Sequence, residues 1–169
     1  MKTGIAISAM IDYLKGNLHE VEHLLKVYGY AKAIGEMEGL DARTQEILEI
    51  AAVVHDIGIP RAMEKYGSDA GPYQEELGPA EARRLLTDIG CDGELIERVC
   101  TLVARHHTYT DVDGLDCRIL LEADYLVNAS FNHHGAKAIR AAKESFFRTQ
   151  TGIRFLETCL MGQNTPENE

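Results

Sequence analysis

Four stretches of the sequence place imidazole or carboxylate groups where apolar residues would be expected to continue. The run IAAVVHDIGIP ends in His55 and Asp56, a nitrogen donor beside an oxygen donor. His23 stands in an apolar segment and leads into LLKVYGYA, TLVARHH ends in His106 and His107, and Asp124 interrupts ILLEADYLVN. Burying a carboxylate without a partner is costly, and a divalent cation is one partner that offsets the cost. Imidazole and carboxylate together suit first-row transition metals, and also manganese or magnesium where waters complete the coordination sphere. The chemistry these residue types allow is cation binding inside a protein.

Each stretch also has a plainer reading. His55–Asp56 suits a helix C-terminus followed by a loop-capping aspartate, and His106–His107 suits a C-terminus whose dipole favours histidine. His19, one turn before His23, reads as a surface histidine that can also line a pocket mouth. His133 and His134, beside Gly135, read as a solvated turn. Glu122 is expected to point away from Asp124 and to be exposed. Asn128, one turn beyond Asp124, can support that aspartate. Tyr66, Tyr73 and Tyr109 lie in or beside loops, where they could stack on a base or pack as half-buried tyrosines. Convergence separates the metal reading from these: four separate helices bring an acid or imidazole to inward positions, and bundle cores are where facing helices assemble metal sites.

The elements that must position these groups are helical. Asn17 can cap a helix running to about Glu38, with Val21, Leu24, Leu25, Val27, Tyr28, Ala31 and Ile34 at helical spacing and Gly39 as its stop. Asp41 caps a second helix, ended by Gly58 and Pro60. Pro60 suits the first turn of a short piece through Tyr66. GSDAGP, residues 67–72, reads as a loop, followed by a helix over 73–89 that is expected to bend near Gly78 and Pro79. Asp92 caps a helix ending near His107, and TYTDVDGLD reads as a loop. Further helices are expected over 117–132, 135–147 and 149–161. Strand signals are scarce, so the expected architecture is an all-α, compact single-domain helical bundle over residues 1–162. The polar tail QNTPENE, 163–169, is expected to fray.

Composition narrows the partners. The chain has 169 residues, enough for one domain with a real core, and a formal charge of −10. No basic face is evident, which argues against double-stranded nucleic acid. A small anionic substrate is compatible, because a bound cation reverses the local field. No apolar run approaches the ~20 residues needed to cross a bilayer, and MKTGIAISAM lacks the long apolar run of a signal peptide. Cys91, Cys100, Cys117 and Cys159 form no C-x-x-C pair; scattered in an acidic chain, they fit a reducing cytosol, so a cytoplasmic location is expected. A homodimer is compatible with all of this.

Taken together and in order, His23, His55–Asp56 and Asp124 make the pattern H…HD…D, and the chain from about residue 17 to 132 resembles the HD-domain superfamily of metal-dependent phosphohydrolases. The resemblance implies an all-α fold of the HD type. It also implies that His23, His55, Asp56 and Asp124 bind a divalent metal that activates water against a phosphate ester of a small metabolite, a nucleotide being the expected class. Iron, manganese, zinc, nickel, cobalt and magnesium are not distinguished. Some members hold a second metal through three more histidines. His106 and His107 look like two of them, but Gln74 stands where the third would be, so one metal is expected rather than two. The common lysine of an HDIGK version is replaced here by Ile59, which leaves phosphate contact to Arg61, Lys65 or Arg105. The GYP tripeptide of the cyclic-dinucleotide branch is absent. Asp56 is expected to ligate and orient the attacking water, and Glu75, Glu76 or His107 to protonate the leaving group. Two alternatives remain: a di-iron oxygenase on the same scaffold, and a metal- or nucleotide-binding sensor without turnover.

Overall fold

The computed structural model describes residues 2–162; the expected tail over 163–169 lies outside them. Among the described residues there are helices and no strand, in the order α1 Thr3–Tyr13, α2 Leu18–Met37, α3 Ala42–Val54, α4 Ile59–Tyr66, α5 Gly71–Asp88, α6 Gly93–Val103, α7 Leu115–Phe131, α8 Ala136–Ser145 and α9 Gln150–Leu156, with a π-helical turn at Glu157–Met161. The fold is the all-α bundle that the sequence predicts.

Helix starts follow the capping residues. The Asn17 side chain accepts from Glu20 N at 3.2 Å. Asp41 accepts from Arg43 N at 2.9 Å and Thr44 N at 3.1 Å, and Asp92 accepts from Leu95 N at 3.1 Å. Each satisfies backbone donors that the first turn leaves open. Gly67, at φ 65°, closes α4 in the left-handed conformation. Helix α1 was not expected from the sequence. Lys2 offers no capping side chain, so the segment carries no start signal, yet Ala6, Met10 and Leu14 are buried. Their i, i+4, i+8 spacing gives α1 one apolar stripe, which packs on α3 and α5.

Helix α3 is the central element. Every residue from Ile47 to Val54 is buried, because α2, α6 and α7 all pack around it. Helix α2 in turn packs on both α3 and α7. His23 on α2, the turn after α3 and Asp124 on α7 are thereby brought to one place. Helix α5 starts at Gly71, two residues before expectation, and continues through Gly78 and Pro79. A Cβ on Gly58 would lie 2.8 Å from the Cα of Gly78, and one on Gly78 would lie 2.7 Å from Val103 Cγ1. Gly58 lets α5 press against the turn that carries His55 and Asp56, and Gly78 lets α6 close on α5 through Val103.

Candidate metal centre

Four donors face one another in the interior. His23 Nε2 lies 3.3 Å from His55 Nε2, 3.2 Å from Asp56 Oδ2 and 3.2 Å from Asp124 Oδ1. His55 Nε2 lies 3.5 Å from Asp56 Oδ2 and 3.4 Å from Asp124 Oδ1. Ligands held about 2.1 Å from one cation stand about 3.0–3.4 Å apart at octahedral or tetrahedral angles. The separations found are of that size. All four side chains are buried, with His55 fully so.

The imidazoles are presented with the right nitrogen inward. His55 Nδ1 donates to the Ala52 carbonyl at 2.9 Å, which turns Nε2 to the centre. On α7, Asn128 Nδ2 donates to Asp124 Oδ1 at 2.9 Å from one turn away and fixes that carboxylate. The electrostatics draw positive charge to this point. Burial pulls His23 down, but hydrogen bonding and attraction from Asp124 and Asp56 push it up to about 10. His55 is also raised, burial being outweighed by Asp56 and Asp124. Burial pushes Asp56 and Asp124 up, but the histidines hold both below the usual carboxylate range. A proton or a metal ion answers the same demand. His23, His55 and Asp56 lie close enough together to hold a divalent metal, and Asp124 stands 3.2 Å and 3.4 Å from the two histidines.

A further histidine joins Asp56 from the far side. His106 Nε2 is 3.0 Å from Asp56 Oδ1, and His106 Nδ1 donates to the Val103 carbonyl at 2.7 Å. Asp56 thus turns one oxygen to each cluster. His107 lies against His106 with ring centroids 4.0 Å apart and the rings tilted by 47°, and its buried Nε2 has no hydrogen-bond partner among the described residues. Asp56, His106 and His107 form a second group close enough to share an ion. Gln74 is buried beneath, its Nε2 donating to the Asp69 carbonyl at 2.6 Å while Oε1 lacks a partner.

The other residues singled out in the sequence lie elsewhere. Glu76 is exposed and held by Lys65 Nζ at 3.0 Å and Tyr66 Oη at 2.8 Å. Arg61 pairs with Glu64 and with Glu81, and Lys65 is spent on Glu76. Arg105 staples its own loop by donating to the carbonyls of Thr110 at 3.3 Å and Asp111 at 3.0 Å. Arg61, Lys65 and Glu76, expected to contact phosphate or donate a proton, are thus paired at the surface, and Arg105 is bound to loop carbonyls through Nη2 while its buried Nε has no partner among the described residues. Glu75 accepts from His107 N at 3.0 Å and Thr108 Oγ1 at 2.9 Å, holding the turn that carries the two histidines. Tyr66 and Tyr73 stack on each other at 4.2 Å and leave no slot for a base between them. Tyr109 packs on Phe146, with ring centroids 4.4 Å apart.

Two buried acids correct the sequence reading. Glu122 points away from Asp124 as expected but is 0% exposed. It accepts from Arg148 N at 2.6 Å, Thr149 N at 3.1 Å and Thr149 Oγ1 at 2.5 Å, joining α7 to the start of α9. Glu20, three residues before His23, is buried beside the centre. Burial first, then the negative charge of Asp56, pushes its carboxyl up to about 7. In the sequence Glu20 passes for an ordinary first-turn acid facing the helix dipole. Its i, i+3 relation to His23 was the available signal.

Comparisons with known proteins agree with this geometry. The chain is similar to a predicted HD superfamily hydrolase from an uncultured Thermotogales bacterium, known from its crystal structure. The identity is 26% and the TM-score 0.65, with 90% of this chain and 82% of that one covered. Comparison with curated proteins gives no significant match. No helix among the described residues is long and apolar enough to cross a membrane. The family model of the HD domain matches residues 21–129, a span that includes His23, His55, Asp56 and Asp124. With well over half of its length matched and the four donors brought together in space, the chain belongs to the HD domain family.

Proposed function

We propose that this protein is a metal-dependent phosphohydrolase acting on a phosphate ester of a small metabolite, with a nucleotide as the expected class. The observation that carries the reading is that His23 and His55 lie 3.2–3.5 Å from each other, from Asp56 and from Asp124, groups brought from α2, the turn after α3, and α7. A divalent cation held there would supply Lewis acidity, lowering the pKa of a water and neutralising a phosphoryl oxygen. Asp56, whose Oδ2 faces His23 and whose Oδ1 is held by His106, would be one of the residues holding the cation. Asn128 fixes Asp124 in the same way. Among the proton donors considered, His107 is the one retained, because its buried Nε2 has no other duty, whereas Glu75 holds a turn and Glu76 faces solvent. With Arg61 and Lys65 held by carboxylates of α5, charge on the phosphate would be met by the cation and by histidines.

A second reading has its own observation. Both nitrogens of His106 face oxygen acceptors, the Val103 carbonyl and Asp56 Oδ1. Either both carry protons, or a second cation bound by Asp56, His106 and His107 stands in for one of them. Metal analysis of protein purified without chelator decides between one ion and two, and a phosphoester panel with each plausible metal tests the activity. Asp56→Ala is expected to lose both metal and hydrolysis while far-UV circular dichroism keeps its helical amplitude. Full metal occupancy in that variant would falsify the assignment.

A further inference from the structure

The structure leaves one acceptor at the centre without a donor. Glu20 is 93% buried and its Oε1 has no hydrogen-bond partner among the described residues. Its backbone N–H is already satisfied by Asn17, so the residue's cap duty lies in the main chain and not in the carboxylate. One turn along the same face of α2 is His23, and the groups acting on the carboxylate are Asp56, His23 and His55. Two of the three side chains opposite it present Nε2 to the four-donor centre, and the third is another acceptor. A buried carboxylate oxygen that meets no donor from the protein requires one from solvent or ligand.

We propose that Glu20 is a positioning residue that accepts a hydrogen bond from a water occupying the centre formed by His23, His55, Asp56 and Asp124. Four protein donors leave room in an octahedral set for water, and water is the one species there with hydrogens to give. Glu20 lies outside the span matched by the family model, which begins at residue 21, so nothing in that match assigns it. The residue does not ligate the cation itself; it holds the orientation of what is bound beside it. This inference rests on the cation-centred reading above, and not on which ester is cleaved.

The test uses cobalt(II) as the probe, since its visible spectrum reports the ionisation of water at the ion. The full chain, Glu20→Gln and Glu20→Asp are each titrated with Co2+ and then scanned from pH 5 to 10. Glu20→Gln is expected to bind cobalt at the wild-type stoichiometry and to move the spectral midpoint downward by on the order of 1 pH unit, because a negative neighbour that disfavours hydroxide has been removed. Hydrolysis by that variant, on whichever ester the wild type cleaves, is expected to fall roughly 10–100-fold in kcat with KM little changed. Glu20→Asp restores part of both. A Glu20→Gln protein with an unmoved midpoint overturns the proposal, and so does one that loses cobalt, since Glu20 would then be a ligand. Failure of the wild-type protein itself to bind cobalt overturns the cation-centred reading and this inference with it. A wild-type protein that binds cobalt, shows the shift and cleaves no phosphoester overturns only the hydrolase.

Discussion

At the scale of single residues, three of the four donors are fixed from behind: His55 by the Ala52 carbonyl, Asp56 by His106 and Asp124 by Asn128. Asp124 would be poorly placed on a helix interior by propensity alone. Two histidines at 3.2 and 3.4 Å and the Asn128 amide at 2.9 Å make the position favourable. The Asn128 side chain hydrogen-bonds to Asp124 and to none of the other three donors, so its contribution is separable. Asn128→Ala is expected to lower cation affinity roughly 10-fold without changing the number of ions bound, since partners that orient a ligand typically contribute 10–100-fold. Isothermal titration with Mn2+ reads this directly, and wild-type affinity in the variant would show that Asp124 is held by the histidines alone. This scale is also where the sequence was most legible. Residue type and apolar neighbours pick out the segments around His23, His55–Asp56, His106–His107 and Asp124, the resemblance to the HD-domain superfamily selects His23, His55, Asp56 and Asp124, and the two histidines meet both aspartates in space. The cations were not legible: residue type says that Arg61, Lys65 and Arg105 are positive, but nothing in a sequence says whether Glu81, Glu76 or a loop carbonyl will claim them first.

At the scale of elements, the position of the His55–Asp56 turn depends on a close crossing with α5, and that crossing was invisible in advance. Gly58 and Gly78 read as helix-ending or bending signals, whereas their function is contact. A methyl on Gly58 would meet backbone atoms of Gly78 at 2.8 Å, where no flexible side chain can give way. Gly58→Ala is therefore expected to destabilise the fold by about 1–3 kcal/mol, the usual cost of overpacking. Urea denaturation measures it, and an unchanged midpoint with an unchanged slope would show that α5 can move aside. Helix α7 was misread for a related reason. A single amphipathic face was assumed, so Glu122 was assigned to solvent, but α7 is covered on both sides and its second face ties down α9. Burial raises Glu122 above its ordinary value of about 4.3 despite its hydrogen bonds to Arg148 and Thr149. A carboxyl raised by folding contributes stability that is present below the unfolded pKa and is lost as pH rises through the folded one. Glu122→Gln keeps an acceptor for both N–H groups and carries no charge. Its stability is expected to fall less than that of the wild type as pH rises above the ordinary carboxylate range, and equal slopes in thermal melts there would contradict the assignment.

At the scale of the whole molecule, the centre joins segments that are far apart in the chain. His23, the 55–56 pair and Asp124 come from α2, the end of α3 and α7, the three elements that enclose the core. An ion shared by them closes those segments against one another, and the unfolded chain offers no such preformed site. Binding free energy therefore appears as folding free energy. At a free cation concentration 100 times its dissociation constant, the gain is about 2.7 kcal/mol. For a chain of this length that corresponds to a rise in Tm of roughly 5–10 °C. Calorimetry with added Mn2+ and with EDTA measures the difference. The comparison with Asp56→Ala makes it specific, because that variant keeps the bundle and loses the shared ligand. Its Tm is expected to be the same with either addition. A wild-type Tm indifferent to both would mean that protons, drawn in by the same carboxylates that push His23 up to about 10, stabilise the crossing of α2, α3 and α7 as well as a metal does.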